Sequence, residues 1–148
     1  MNALVLALVA VTFGQHLTPN NPNEYLFNVV EEGGFSRIRE PKVFTIKSAD
    51  DYQKYNKTVG REIGTPKIDW AHSQVLAIHI GSAPTTGYGA VVRRIAKTGP
   101  NMVQIDVART NPPPRRMVAM HVTYPWVIIR TPKFSESIKL QILPAPAK

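Results

Sequence analysis

Four histidines and ten acidic residues are the side chains of this 148-residue chain that could do acid–base or metal chemistry, and it has no cysteine. His79 and His121 each lie in an apolar, strand-like run and could face one another across a sheet. Two histidines without a third ligand do not form a zinc site, and neither His-Glu-x-x-His nor Cys/His spacing occurs. His16 opens a linker-like stretch that runs to Asn23. A catalytic carboxylate pair would have to come from Asp50, Asp51, Glu62 and Asp69, which read as helix-end or surface residues. No Gly-x-Ser-x-Gly elbow, phosphate loop or dinucleotide-binding glycine pattern is present. These observations give no catalytic residues, no metal site and no cofactor, and the reading is a non-enzymatic one.

Recognition is the chemistry that remains, and three loops carry it. Gly81-Ser-Ala-Pro-Thr-Thr-Gly-Tyr-Gly89 holds Pro84, which fixes φ, and Gly87, which permits positive φ, while Thr85 and Thr86 offer hydroxyls to nearby backbone. Such a loop keeps its shape and binds with less ordering cost than a floppy one. Tyr88 supplies contact area. Asn111-Pro-Pro-Pro-Arg-Arg116 is a polyproline stretch ending in two cations, Arg115 and Arg116. Thr123-Tyr-Pro-Trp126 sets Pro125 inside a strand-like run, which implies a bulge or an edge, between amphipathic Tyr124 and Trp126. The candidate partner-binding residues are therefore Pro84, Thr85, Thr86, Gly87, Tyr88, Arg115, Arg116, Tyr124, Pro125 and Trp126.

Strands must position these loops. The composition, 43% hydrophobic and 19% charged, is that of an ordinary folded domain, and thirteen prolines count against long helices. Tyr25–Val30 and Lys42–Ile46 read as strands, the latter by alternation, with Val43 and Thr45 on one face and Phe44 and Ile46 on the other. Glu31–Gly34 reads as a turn. Ser48-Ala-Asp-Asp opens one amphipathic helix over about residues 49–60, with Tyr52, Tyr55 and Val59 on its buried stripe and Gly60 or Gly64 to end it. Val75–Ile80, Tyr88–Ile95, Met102–Ala108, Met117–Arg130 and Ile138–Leu143 are apolar runs bounded by turn signals. Short connections favour antiparallel neighbours. The expected fold is mainly β, an antiparallel β-sandwich or open barrel with one packed helix.

Charge and the first residues bear on location and partners. Residues 1–74 carry eight basic and eight acidic side chains, so residues 75–148 hold the whole net charge of +8. A basic half suits an acidic partner or an anionic lipid or polymer of the envelope. Nucleic acid is not expected, because no recognition motif accompanies the charge. Ala3–Val11 is an apolar run of signal-peptide length followed by small residues, although no Lys or Arg precedes it. The expected layout is a signal peptide at 1–14, a linker and first strand at 15–30, one β-rich domain at 31–143 and a tail at 144–148. Export to the periplasm or exterior follows, with membrane contact through the basic half and no anchor, since a lipid-bearing cysteine is missing.

Four motifs together resemble the PrcB C-terminal domain family. They are Glu32-Gly-Gly-Phe-Ser-Arg-Ile-Arg-Glu-Pro41, Ile68-Asp-Trp70 ahead of Val75-Leu-Ala-Ile, Gly81-x3-Thr-Thr-Gly-Tyr88 and His121-Val-Thr-Tyr-Pro125, spanning roughly residues 31–134. The family is one of exported bacterial proteins named for a protease-complex subunit. The resemblance implies a non-catalytic domain that binds a protease and stabilises or regulates it. It places the contact on Thr85, Gly87, Tyr88, Tyr124 and Pro125. Thr86 stands where the family loop usually has glycine. A second likeness competes: Ala83-Pro-Thr-Thr-Gly-Tyr88 and Tyr124-Pro125-Trp126 are similar to two loops of chagasin-like cysteine-protease inhibitors. That likeness implies a sandwich that inserts the Pro84–Tyr88 and Tyr124–Trp126 loops into a protease cleft.

Overall fold

The run Val75-Leu-Ala-Ile-His-Ile80 has no polar alternation, and this is why it becomes the central strand: Val75, Leu76, Ala77 and Ile78 are all wholly buried. Apolar side chains on both faces require cover on both faces. A computed structural model, which describes residues 21–61 and 65–145, provides it. A helix packs on one face and a second sheet on the other.

In chain order the elements are β1 (Asn28–Gly33), β2 (Lys42–Ile46), α1 (Ala49–Val59), β3 (Ser73–His79), β4 (Gly89–Gly99), β5 (Met102–Thr110), β6 (Trp126–Pro132) and β7 (Ser137–Leu143). One sheet has the order β1-β6-β3-β2 and the other β4-β5-β7. The described residues therefore form a mainly β sandwich with one helix and no closed barrel.

Between the sheets lie Leu76, Ile78, Val92, Ile95, Val103, Ile105, Val107 and Ile129. On the far face of the four-stranded sheet, α1 buries Tyr52, Tyr55 and Val59 against Val75, Ala77, Trp126 and Ile128. The alternation read in β2 holds: Val43 joins the inter-sheet core, while Phe44 and Ile46 join the helix layer. Ser48 caps α1 by accepting the Asp51 N–H on its Oγ at 3.1 Å. Gly60 ends the helix in the left-handed conformation, φ 73°.

Four expectations are corrected. Glu31–Gly33 is strand, not turn: Glu31, Glu32 and Gly33 pair with Ile128, Val127 and Trp126 after a bulge at Val29/Glu31. The glycine is there for a close approach, since a Cβ on Gly33 would lie 2.5 Å from a Trp126 ring carbon. Met117–Arg130 is strand only from Trp126, because Met117, Met120 and Val122 face solvent and have no sheet to bury them. β7 pairs with β5 in parallel rather than antiparallel fashion. After β5 the chain crosses to the other sheet, runs through β6 and returns, so β7 is not a hairpin neighbour. Finally, His79 and His121 do not meet: His79 is buried in β3, and His121 lies in the exposed 111–125 connection. The expected signal peptide and His16, Glu62 and Gly64 lie outside the described residues.

Candidate protein-binding site

The three loops converge because of strand direction. β3 ends at His79 opposite the start of β6 at Trp126, and β1 ends at Gly33 opposite the same tryptophan. In the other sheet the start of β4, Gly89, pairs with the end of β5, Thr110. The 80–88 loop, the 111–125 connection and the Gly34–Phe35 corner therefore share one end of the sandwich.

Backbone and hydroxyl bonds lace them together. Ala83 and Thr123 exchange N–H···O bonds at 2.8 and 2.9 Å, forming a one-residue bridge. The Thr123 hydroxyl donates to the Thr85 carbonyl at 2.8 Å. Thr86 donates its N–H to the Ala119 carbonyl at 3.1 Å and accepts the Ala119 N–H on Oγ1 at 2.8 Å. Gly87 has φ 90°, and a Cβ there would stand 2.9 Å from the Pro112 Cβ. Tyr124 donates its N–H to the Gly34 carbonyl at 2.9 Å. With these bonds between its segments, this loop set can present a surface of fixed shape.

Trp126 is the post beneath it. The ring is 5% exposed, and its Nε1–H donates to the Phe35 carbonyl at 2.7 Å. The Arg61 guanidinium stacks 3.9 Å from the ring centroid and pairs with Glu31 at 2.5 Å. Pro125 and Thr123 are also buried. Pro125 and Trp126 therefore lie beneath the surface rather than on it. An inhibitor-like insertion of the Tyr124–Trp126 loop lacks a free tryptophan for the same reason.

The surface itself is apolar and cationic. Met117 is 98% exposed, Met120 86%, Phe35 62% and Val122 53%. Phe35 stacks on His121 with ring centroids 5.7 Å apart. Arg115 and Arg116 are exposed beside them, and no ion pair among the described residues involves either. Pro84 and Gly87 are exposed and Thr85, Thr86, Tyr88 and Tyr124 half-buried. A groove of about 510 Å³ enters here, lined by Gly33, Phe35, Tyr88, Asn111, Arg116 and Trp126 among others. Met117, Met120 and Val122 escaped the sequence reading because Met117–Val122 passed for strand, and Phe35 because a single phenylalanine after a turn carries no sign of exposure. The lack of apolar/polar alternation in Met117–Val122, directly after Pro112–Pro114, was the available sign.

The titratable groups elsewhere serve the fold. The Tyr55 hydroxyl and His79 Nε2 lie 2.9 Å apart. Burial, and then the Arg61 and Lys42 charges, hold the His79 pKa down at about 4, so the ring is neutral near pH 7. Burial raises the Tyr55 hydroxyl. At the surface, a bond from His72 lowers the Asp69 carboxyl. Among the described residues no group of three or more His, Asp or Glu is placed to hold a metal ion. No helix there is long and apolar enough to cross a membrane.

The loop that ends in Gly87-Tyr88, tied across to Thr123, lies within the segment that comparison with known families recognises. Residues 74–132 match the model of the PrcB C-terminal family. The matched segment runs from β3 through β6 and contains both the 80–88 loop and the 111–125 connection. It is narrower than the 31–134 span of the four motifs and leaves β1, β2, α1 and β7 outside. No curated protein and no solved structure matches the chain.

Proposed function

We propose that this is a non-catalytic protein-binding domain that associates with a protease and stabilises or regulates it. The observation that carries the reading is the exposed end at Phe35, Met117, Met120 and Val122, framed by Arg115 and Arg116. A solvent-facing cluster of large apolar side chains beside unpaired cations is a recognisable contact surface, because its burial is favourable only against a partner. Methionine adapts to an irregular partner surface, and arginine pairs with carboxylates in a fixed geometry. The network under it lowers the ordering cost of binding. The family match supports a protease as the partner. The apolar run Ala3–Val11 supports a place outside the cytoplasm, and N-terminal sequencing of the mature protein tests that part.

The immobilised domain, incubated with envelope extract from its source cell, should retain a protease and lengthen the half-life of its activity. Met120→Asp combined with Phe35→Asp should abolish retention while the domain stays folded. Retention of no protease, or retention unaffected by the double variant, overturns the reading.

A further inference from the structure

Two edges of the sandwich lie together on a different part of the molecule, and both are short of cover. Among the described residues β7 is paired on one side only, to β5, and β2 on one side only, to β3. In β5 the inward side chains Val103, Ile105 and Val107 are fully buried. Their register partners in β7, Ile138, Leu140 and Ile142, face the same way and stay half-exposed. The other sheet repeats the pattern. Leu76 and Ile78 of β3 are fully buried, whereas their β2 partners Thr45 and Val43 are exposed and half-exposed. Between these edges runs a groove of about 730 Å³, lined by Val43, Thr45, Glu136, Ile138, Leu140 and Ile142 among others. The interior lacks one row of side chains along this edge.

A bare strand edge offers a ladder of N–H and C=O groups, and the face beside it wants alternate apolar side chains. The charges select the occupant. Neither β2 nor β7 contains an acidic residue, and each carries an exposed lysine, Lys42 and Lys139. No ion pair among the described residues involves either lysine; Lys42 sits over the Phe44 ring at 4.8 Å. Glu136 is already engaged by Lys97 at 2.8 Å. A second copy pairing through β7 would bring two Lys139 side chains into one short ladder, which is unfavourable.

We propose that this groove is a strand-accepting site, in which an extended acidic segment of a partner protein pairs with the free edge of β7 and inserts alternate aliphatic side chains between β7 and β2. The groove shares no lining residue with the one at the Phe35–Trp126 end, so its failure would leave the proposed function intact.

The test uses a fluorescein-labelled octapeptide alternating valine with aspartate, titrated into the whole protein by fluorescence anisotropy. Saturable binding is expected with Kd on the order of 10–500 μM, along with slowed amide exchange in β7. The same peptide with lysine for aspartate, and one with proline at a central valine, should each bind at least ~10-fold more weakly. Lys139→Glu, an exposed change, should reverse the preference between the acidic and basic peptides. Leu140→Asp should remove binding, and if it impairs folding, Lys139→Glu carries the test. Three outcomes overturn the proposal: no binding up to about 1 mM, equal binding of all three peptides, or self-association of the free protein through β7 that blocks the peptide.

Discussion

Thr86 and Ala119 hold each other by two reciprocal hydrogen bonds, 3.1 Å from the Thr86 N–H to the Ala119 carbonyl and 2.8 Å from the Ala119 N–H to Thr86 Oγ1. The pair ties the 80–88 loop to the middle of the 111–125 connection, where Met117 and Met120 are displayed. Thr86→Val keeps the shape and removes the acceptor. The expected loss is about 1 kcal/mol of global stability, since the bond is partly solvated. The larger effect should be local, with faster amide exchange and easier proteolytic cleavage over residues 115–122. Unchanged exchange in that segment would show that the loop is ordered by other contacts.

The layers of this fold were legible in the sequence because its strongest patterns are local. Ser48, Asp50, Tyr52, Tyr55, Val59 and Gly60 spell one helix from cap to cap, and Val75–Ile80 reads as a strand buried on both faces. What misled was context. The pair Gly33-Gly34 looks like a turn, yet Gly33 is a gap for the Trp126 ring, a tertiary requirement that no local propensity encodes. The parallel β5–β7 pairing depends on a chain path through the other sheet. The candidate contact surface was half legible: Pro84–Tyr88 and Arg115–Arg116 stood out by turn chemistry and charge. Phe35, Met117 and Met120 are apolar residues left in solvent, and a sequence does not say which apolar run lacks a partner.

Gly33 and Trp126 give the second prediction. A Cβ at Gly33 would stand 2.5 and 2.8 Å from two Trp126 ring carbons, inside a sheet that cannot easily part. Gly33→Ala should therefore cost roughly 1–3 kcal/mol and shift the indole off its bond to the Phe35 carbonyl. Chemical denaturation monitored by tryptophan emission, in a Trp70→Phe background, reads both effects. An unshifted emission maximum with full stability would mean that β1 yields at its bulge.

Arg115 is the only non-glycine with positive φ among the described residues, at 63°. It sits at the turn that presents Met117. A β-branched residue fares badly there, so Arg115→Val should destabilise by about 1–2 kcal/mol. Arg115→Gly should leave stability within about 0.5 kcal/mol, because relief of strain offsets the added freedom of the unfolded chain. Both variants remove the charge. If the contact depends on the cation, Arg115→Gly should weaken partner retention without a change in melting temperature. Equal melting temperatures for the two variants would contradict the left-handed assignment of this residue.

His79 supplies the pH prediction. The groups around it are the Tyr55 hydroxyl on Nε2, the Phe44 ring, and the Arg61 and Lys42 cations, with no carboxylate in direct contact. Its pKa is about 4 in the folded protein against 6.5 ordinarily. The unfolded chain therefore binds more protons than the folded one between those values, and stability falls as pH falls. The contribution is complete above pH 6.5 and lost progressively on descending towards pH 4. Its size should be on the order of 3 kcal/mol, since each pKa unit corresponds to about 1.4 kcal/mol. His79→Phe should lower stability near pH 7, because the Tyr55 hydroxyl then has no imidazole partner, and should flatten the decline between pH 6.5 and 4. Denaturation midpoints measured across that window decide it. A wild-type profile level from pH 7 to 4.5, or a slope that survives in His79→Phe, would remove His79 as the titrating group.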